Sequence, residues 1–152
     1  MSQPLSFDVV SPRFGLPLLF AGQAQKEFFV NEAHALTDAL LHCAIEGEAA
    51  DPPSVPADGE CWLVDVSASG AWLGQDGSIA CRQAGHWLFV APRDGMQVLN
   101  RSTGQVMLYS GGWAAAAAPA SPAGGSTVDI EARAAIDDLI AALRLAGVLP
   151  AS

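Results

Sequence analysis

Five polar residues crowd one short stretch of this chain. Gln23, Gln25, Lys26, Asn31 and Glu32 follow directly on an apolar run that is broken by Pro17 and ends at Gly22. As catalysts, Lys26 (the only lysine) and Glu32 would be a base and an acid, but no nucleophile or phosphate cradle accompanies them. As structure, the Gln and Asn amides satisfy backbone groups of the lead-in, and Lys26 pairs with a carboxylate. Polar networks of this kind fix one register between subunits. The structural reading is the stronger, and these five residues are docking and assembly candidates.

Three tryptophans each follow a glycine: Gly70-Ala71-Trp72, Gly85-His86-Trp87 and Gly111-Gly112-Trp113. An indole there packs into a core or stands at a rim, where its ring face stacks on the CH groups of a sugar. Trp72, Trp87, Tyr109 and Trp113 are therefore the glycan-binding candidates. His34 with Asp38 and His42 with Glu46 are spaced four apart on a predicted helix, a spacing that suits surface pairs better than a metal site. Asp65 and Asp76 flank a loop as a weak candidate pair for glycoside cleavage. No H-E-x-x-H, G-x-S-x-G or P-loop occurs. No catalytic residue, metal or cofactor is expected. Cys43, Cys61 and Cys81 are odd in number and lack metal-ligand spacing. They read as reduced and buried, with a Cys61–Cys81 bridge left open should the two lie on neighbouring strands.

The elements that must position these residues follow from pattern. Residues 1–22, with Pro4, Pro12 and Pro17, read as an extended arm. Residues 23–47 read as a helix whose apolar stripe is Phe29, Ala33, Leu36, Leu40 and Cys43. Across 56–113 glycines recur between short runs of β-formers, and Asp76-Gly77 and Asp94-Gly95 are hairpin signals, so this stretch is predicted as one antiparallel meander. Residues 114–126 are an Ala/Pro/Gly linker. Residues 127–150 hold a second helix, capped by Thr127 or Asp129 and closed at Gly147, with the stripe Ala132, Ile136, Leu139 and Leu143. Ile136, Leu139 and Leu143 join the assembly candidates.

Composition sets the partners. Of 152 residues 51% are hydrophobic and only 15% charged, which favours an oligomer, because a monomer so poor in charge would struggle to cover its surface. A net charge of −9 disfavours nucleic acid and anionic membranes. The longest apolar run is too short to span a bilayer, and the N-terminus lacks the basic region of a secretory signal.

The block GLPLLFAGQAQKEFFVNEAHALTDAL resembles the N-terminal signature of an uncharacterised domain family found among tail, fibre and spike proteins of alphaproteobacterial phages and gene transfer agents. Gly15, Leu16, Pro17, Gln23, Ala24, Gln25, Lys26, Asn31, Glu32 and Ala33 carry the resemblance. GAWLGQDGSIACRQAGHWLFVAPRDG resembles that family's second block, and TVDIEARAAIDDLIAALRLAGVL a C-terminal segment of related fibre proteins. The resemblance implies a virion component, assembled in the bacterial cytoplasm, that docks to other virion or baseplate proteins and meets cell-surface polysaccharide.

The resulting expectation is an α+β chain of N-terminal helix, small antiparallel β-meander and C-terminal helix, forming a homotrimeric helical bundle. Its expected role is structural and adhesive rather than enzymatic. The rival readings are a connector that binds no ligand and a polysaccharide hydrolase.

Overall fold

The computed structural model describes residues 9–125 and 128–150. The first part of the expected arm, Thr127 as a helix cap and the linker–helix junction at Ser126 lie outside the described residues. The chain divides into two compact units, with the division between Pro92 and Arg93.

In the first unit the described arm folds back on itself instead of extending. Val10 bridges Pro17, Leu18 N–H donates to the Val9 carbonyl (3.0 Å), and Ser11 exchanges main-chain and side-chain bonds with Leu16. Helix α1 spans Lys26–Leu40, shorter at both ends than the predicted 23–47. Ala24 and Gln25 hold φ of 57° and 65°, so the helix starts only after this left-handed turn. At the other end Leu41 turns extended and His42 takes φ 48°. The residues that follow form strands, β1 (Ala44–Ile45) and β2 (Glu48–Ala49). The predicted stripe is also displaced. Phe29 is 77% exposed, and the residues α1 buries are Ala35, Asp38 and Ala39.

Three further strands, β3 (Cys61–Val64), β4 (Ile79–Gln83) and β5 (His86–Val90), complete a sheet of order β2-β3-β4-β5. β3–β4 and β4–β5 are antiparallel, as hairpin chemistry demands, but β2 runs parallel to β3 with Glu48 opposite Leu63. A parallel neighbour needs a crossover rather than a tight turn, and the Pro-rich segment 50–60 supplies it. Within this unit Val64, Ala68, Trp72 and Ala80 form a buried cluster flanked by Ala49, Trp62, Trp87 and Phe89. Trp72 ends a single 3₁₀ turn, Gly70–Trp72, and meets Trp87 edge-on at 5.1 Å and 81°.

The second unit contains β6 (Gln97–Asn100), β7 (Gln105–Tyr109), β8 (Trp113–Ala114) and helix α2 (Ile130–Leu145). β6, β7 and β8 are antiparallel neighbours. Alternation places Val98, Asn100, Gln105 and Met107 on a buried face and Leu99, Val106 and Leu108 on an exposed one. Asp129 caps α2 by accepting from the Ala132 amide at 2.8 Å. At the far end Gly147 N–H donates to Arg144 O and Val148 N–H to Leu143 O, the paired bonds of a Schellman stop. Gly147 is required there. Its φ is 70°, and a Cβ would meet the Gly104 carbonyl at 3.3 Å. Its own carbonyl accepts from Val106 N–H at 2.7 Å, fastening the helix end to β7. The linker is held too, since Gln105 Nε2 donates to Ala116 O and Arg133 donates to the Pro122 and Gly124 carbonyls.

The expected helix–meander–helix in a trimeric helical bundle is therefore corrected. The described residues form two α-helices and eight strands, and the strands belong to two sheets. The single meander over 56–113 does not form. Pro92 lacks an N–H to continue a ladder, and the strands after it join the second sheet. Trp72→Ala is expected to destabilise the protein by about 3–5 kcal/mol, the usual cost of emptying a buried aromatic site. Leu145→Ala at the exposed end of α2 should cost under about 1 kcal/mol. Urea denaturation checks both.

Candidate functional site

One face of α1 carries Glu27, Asn31, His34 and Asp38, at steps of four, three and four, the repeat of a helical stripe. Each binds the main chain of the arm, which runs past the helix in the opposite direction. Gly22 N–H donates to Glu27 Oε1 at 3.0 Å. Leu19 donates its N–H to Asn31 Oδ1 (2.8 Å) and accepts from Asn31 Nδ2 (3.0 Å). His34 Nδ1 donates to the Pro17 carbonyl at 2.9 Å. Asp38, 1% exposed, takes the amides of Arg13 (2.9 Å) and Phe14 (2.7 Å) on its two oxygens.

Arg13 returns the interaction. Its guanidinium donates to the carbonyls of Asp38 and Ala39, which the end of a helix leaves without partners, and to that of His42 just beyond the helix. α1 has no basic residue in its own last turn, so the arm supplies the cation that the negative end of the helix dipole favours. Glu27 stands at the positive end. Its carboxyl is lowered from the ordinary range by hydrogen bonds from its own amide and then from Gly22, against the opposing effect of desolvation.

Asn31 does what was expected of the polar cluster. Gln23, Gln25, Lys26 and Glu32 instead lie exposed around the turn and along the helix, and the Gln23 carbonyl accepts from Lys26 N–H at 3.2 Å. Arg13, Glu27 and the arm-facing role of His34 and Asp38 were missed from sequence. The four-three-four spacing of polar residues was the available signal. With its backbone tied down, this region leaves Phe14, Phe20, Phe28 and Phe29 exposed.

The aromatic candidates separate. Trp72 is 0% exposed and out of reach of any ligand, and its Nε1 finds no acceptor among the described residues. Trp87 is half-buried between Trp72 and the Arg82 guanidinium, which lies 5.2 Å from its ring centre. In the second unit Tyr109 and Trp113 are directly opposed, half-buried, with ring centres 5.3 Å apart. The strand repeat puts them on the face opposite Leu108 and Ala114. On that other face Gln97, Val106, Leu108, Ala114, Ala116 and Val148 line an open groove of about 470 Å³ without a charged residue. On α2, Ile136 and Leu139 are exposed and Leu143 half-buried.

Asp65 and Asp76 serve their turns, accepting from the amides of Val66 (2.7 Å) and Ala68 (2.9 Å). Among the described residues no three His, Cys, Asp or Glu side chains form a metal-holding group. No helix among them is long and apolar enough to cross a membrane.

Asp38→Ala should cost about 2–4 kcal/mol, because two amides packed beside it lose their acceptor. Asn31→Ala should cost about 1–2 kcal/mol for its two bonds, both read by urea denaturation. A carboxyl lowered on folding stabilises above its unfolded value and ceases to as pH falls through the folded one. Hydrogen exchange at the Gly22 amide should therefore gain an acid-dependent opening on descent below the ordinary carboxylate range, and Glu27→Gln should remove that dependence.

A family model described as "Protein of unknown function (DUF2793)" matches residues 30–115. No curated protein matches the chain.

Proposed function

The chain belongs to the DUF2793 family, and we propose that it is a structural fibre or spike module of a phage-like particle, one that self-associates and offers an aromatic surface to host-cell glycans. The observation that carries this reading is the apolar surface left uncovered. Phe28 and Phe29 on α1, Leu139 on α2, and Leu99 and Leu108 on the second sheet are all exposed, on a chain with only 15% charged residues. Isolated exposed apolar residues are ordinary, but this many in so uncharged a chain argue for partners. Copies of the same chain are the economical choice, since closed symmetric assembly covers identical faces together. Three copies is the expected number, as in the fibres that the N-terminal block resembles. The signature region has the character of a docking surface, with a backbone held rigid by side-chain bonds beneath exposed phenylalanines. Other virion or baseplate proteins are its proposed partners, and assembly takes place in the bacterial cytoplasm.

For glycan contact Tyr109 and Trp113 are the residues of choice. They form a paired, half-exposed aromatic surface, whereas Trp72 lies in the core and Trp87 is covered by Arg82. Repetition over the copies would turn weak stacking into useful avidity. The same burial of Trp72 favours the rival reading, a connector that binds no sugar.

Light scattering of the purified chain is expected to give the mass of a closed oligomer, three copies, at micromolar concentration. A Phe28→Glu/Phe29→Glu or Ile136→Glu/Leu139→Glu variant should shift it toward the monomer. A monomeric wild type would refute self-association. On a glycan array the wild type is expected to bind and Trp113→Ala to lose at least tenfold in signal. No binding by either protein would leave the connector.

A further inference from the structure

The three cysteines form a cluster that the proposed role does not use. Cys61 on β3 lies directly opposite Cys81 on β4, and their Sγ atoms are 3.0 Å apart. The flanking pair is hydrogen-bonded, with Arg82 N–H donating to the Glu60 carbonyl at 2.8 Å. Bonded and unbonded pairs alternate along an antiparallel ladder, so Cys61–Cys81 is a non-hydrogen-bonded pair. In such pairs the Cα atoms approach to about 4.5 Å and the side chains lie closest, within the span a disulfide can bridge. Cys43 is also buried but belongs to no facing strand pair.

Access is narrow. Both thiols are buried, and the space beside them is a cavity of about 10 Å³ lined by Pro12, Arg13, Asp38 and Gly59 as well as the two cysteines. That is room for about one water-sized molecule. Gly59 helps to keep the lid tight. Its φ is 91°, and a Cβ would meet Arg13 Cγ and Pro12 Cβ at 3.3 Å.

We propose that Cys61 and Cys81 form an oxidation site for hydrogen peroxide, whose entry needs only a slight widening of this cavity, whereas a bulky disulfide would need it opened altogether. The Cys61 thiolate attacks one peroxide oxygen and the O–O bond breaks, giving a Cys61 sulfenic acid and hydroxide, which takes up a proton to become water. The Cys81 sulfur then attacks Cys61 Sγ, loses its proton, and displaces the sulfenic oxygen as a second water. Two thiols and one peroxide become one disulfide and two waters, two electrons passing from sulfur to oxygen. Cys61 suits the nucleophile's role, since it lies between the other two thiols and hydrogen bonding with Cys43 and then with Cys81 lowers its thiol, with help from Arg13 and against burial and Asp38. Cys43 and Cys81 are raised, by Cys61 first and by burial next.

The reduced full-length chain is treated with hydrogen peroxide or with oxidised glutathione, natively and in urea. It is then unfolded, alkylated and cleaved at acidic residues, which separates Cys61 from Cys81 at Asp65 and Asp76. Native protein in peroxide should yield a Cys61–Cys81 link that dithiothreitol reverses, with Cys43 alkylated in full. Oxidised glutathione should form the link at least tenfold more slowly in native protein than in urea. Cys43→Ala should still form the link, but more slowly than wild type, since Cys61 loses the first of the contacts that lower its thiol. Cys43→Ala/Cys81→Ala should stop at a Cys61 sulfenic acid that dimedone captures. The proposal is overturned if Cys43 is consumed together with Cys61, or if native thiols all survive peroxide that oxidises free glutathione. It is equally overturned if oxidised glutathione matches peroxide in the folded chain.

Discussion

Four side chains on one face of α1 hold the main chain of another segment, and the first unit is organised around that contact. The arm pairs only briefly with itself, so the rest of its amides and carbonyls must find side chains or water. Glu27, Asn31, His34 and Asp38 provide those partners one helical turn at a time. Arg13 completes the exchange by taking the carbonyls at the helix end. The helix thus fixes the arm and the arm ends the helix. The contact is made largely of hydrogen bonds, and the phenylalanines of both segments remain on the surface.

The two units solve the problem of ending a helix differently. In the first, an arginine from elsewhere in the chain meets the terminal carbonyls, and His42 turns left-handed just beyond. In the second, Gly147 supplies the left-handed turn locally, and its carbonyl then bonds to β7. The glycine solution is visible in a sequence because it is local. The arginine solution depends on a residue 25 positions away from its first partner and is not.

The surface and the core divide the aromatic residues by a simple rule. Trp72 sits on a 3₁₀ turn that aims it inward, where it meets Trp87 and the small residues Ala68 and Ala80. Tyr109 and Trp113 sit on strands of the second sheet, across from each other and half in solvent. A glycine before a tryptophan marks a turn in both settings, and the direction of the ring is set by the element that follows. The adhesive role proposed for the molecule accordingly rests on the second pair, and the stability of the first unit rests on the first.

From the sequence alone came the strands from Cys61 to Tyr109, the second helix with its Gly147 stop and a cap at Thr127 or Asp129, and the existence of a helix after Gln23. Each follows from local chemistry: alternating side chains, glycine turns and caps act within a few residues. Tertiary structure decided which strands share a sheet, the parallel pairing of β2 with β3, and the stripe that α1 turns inward. These depend on partners distant in the chain. The apolar spacing of Phe29, Leu36 and Leu40 looked like a buried face, yet the arm gave the polar residues of the neighbouring face more to bind. Periodicity shows that a helix has faces, but only the segment packed against it determines which one is covered.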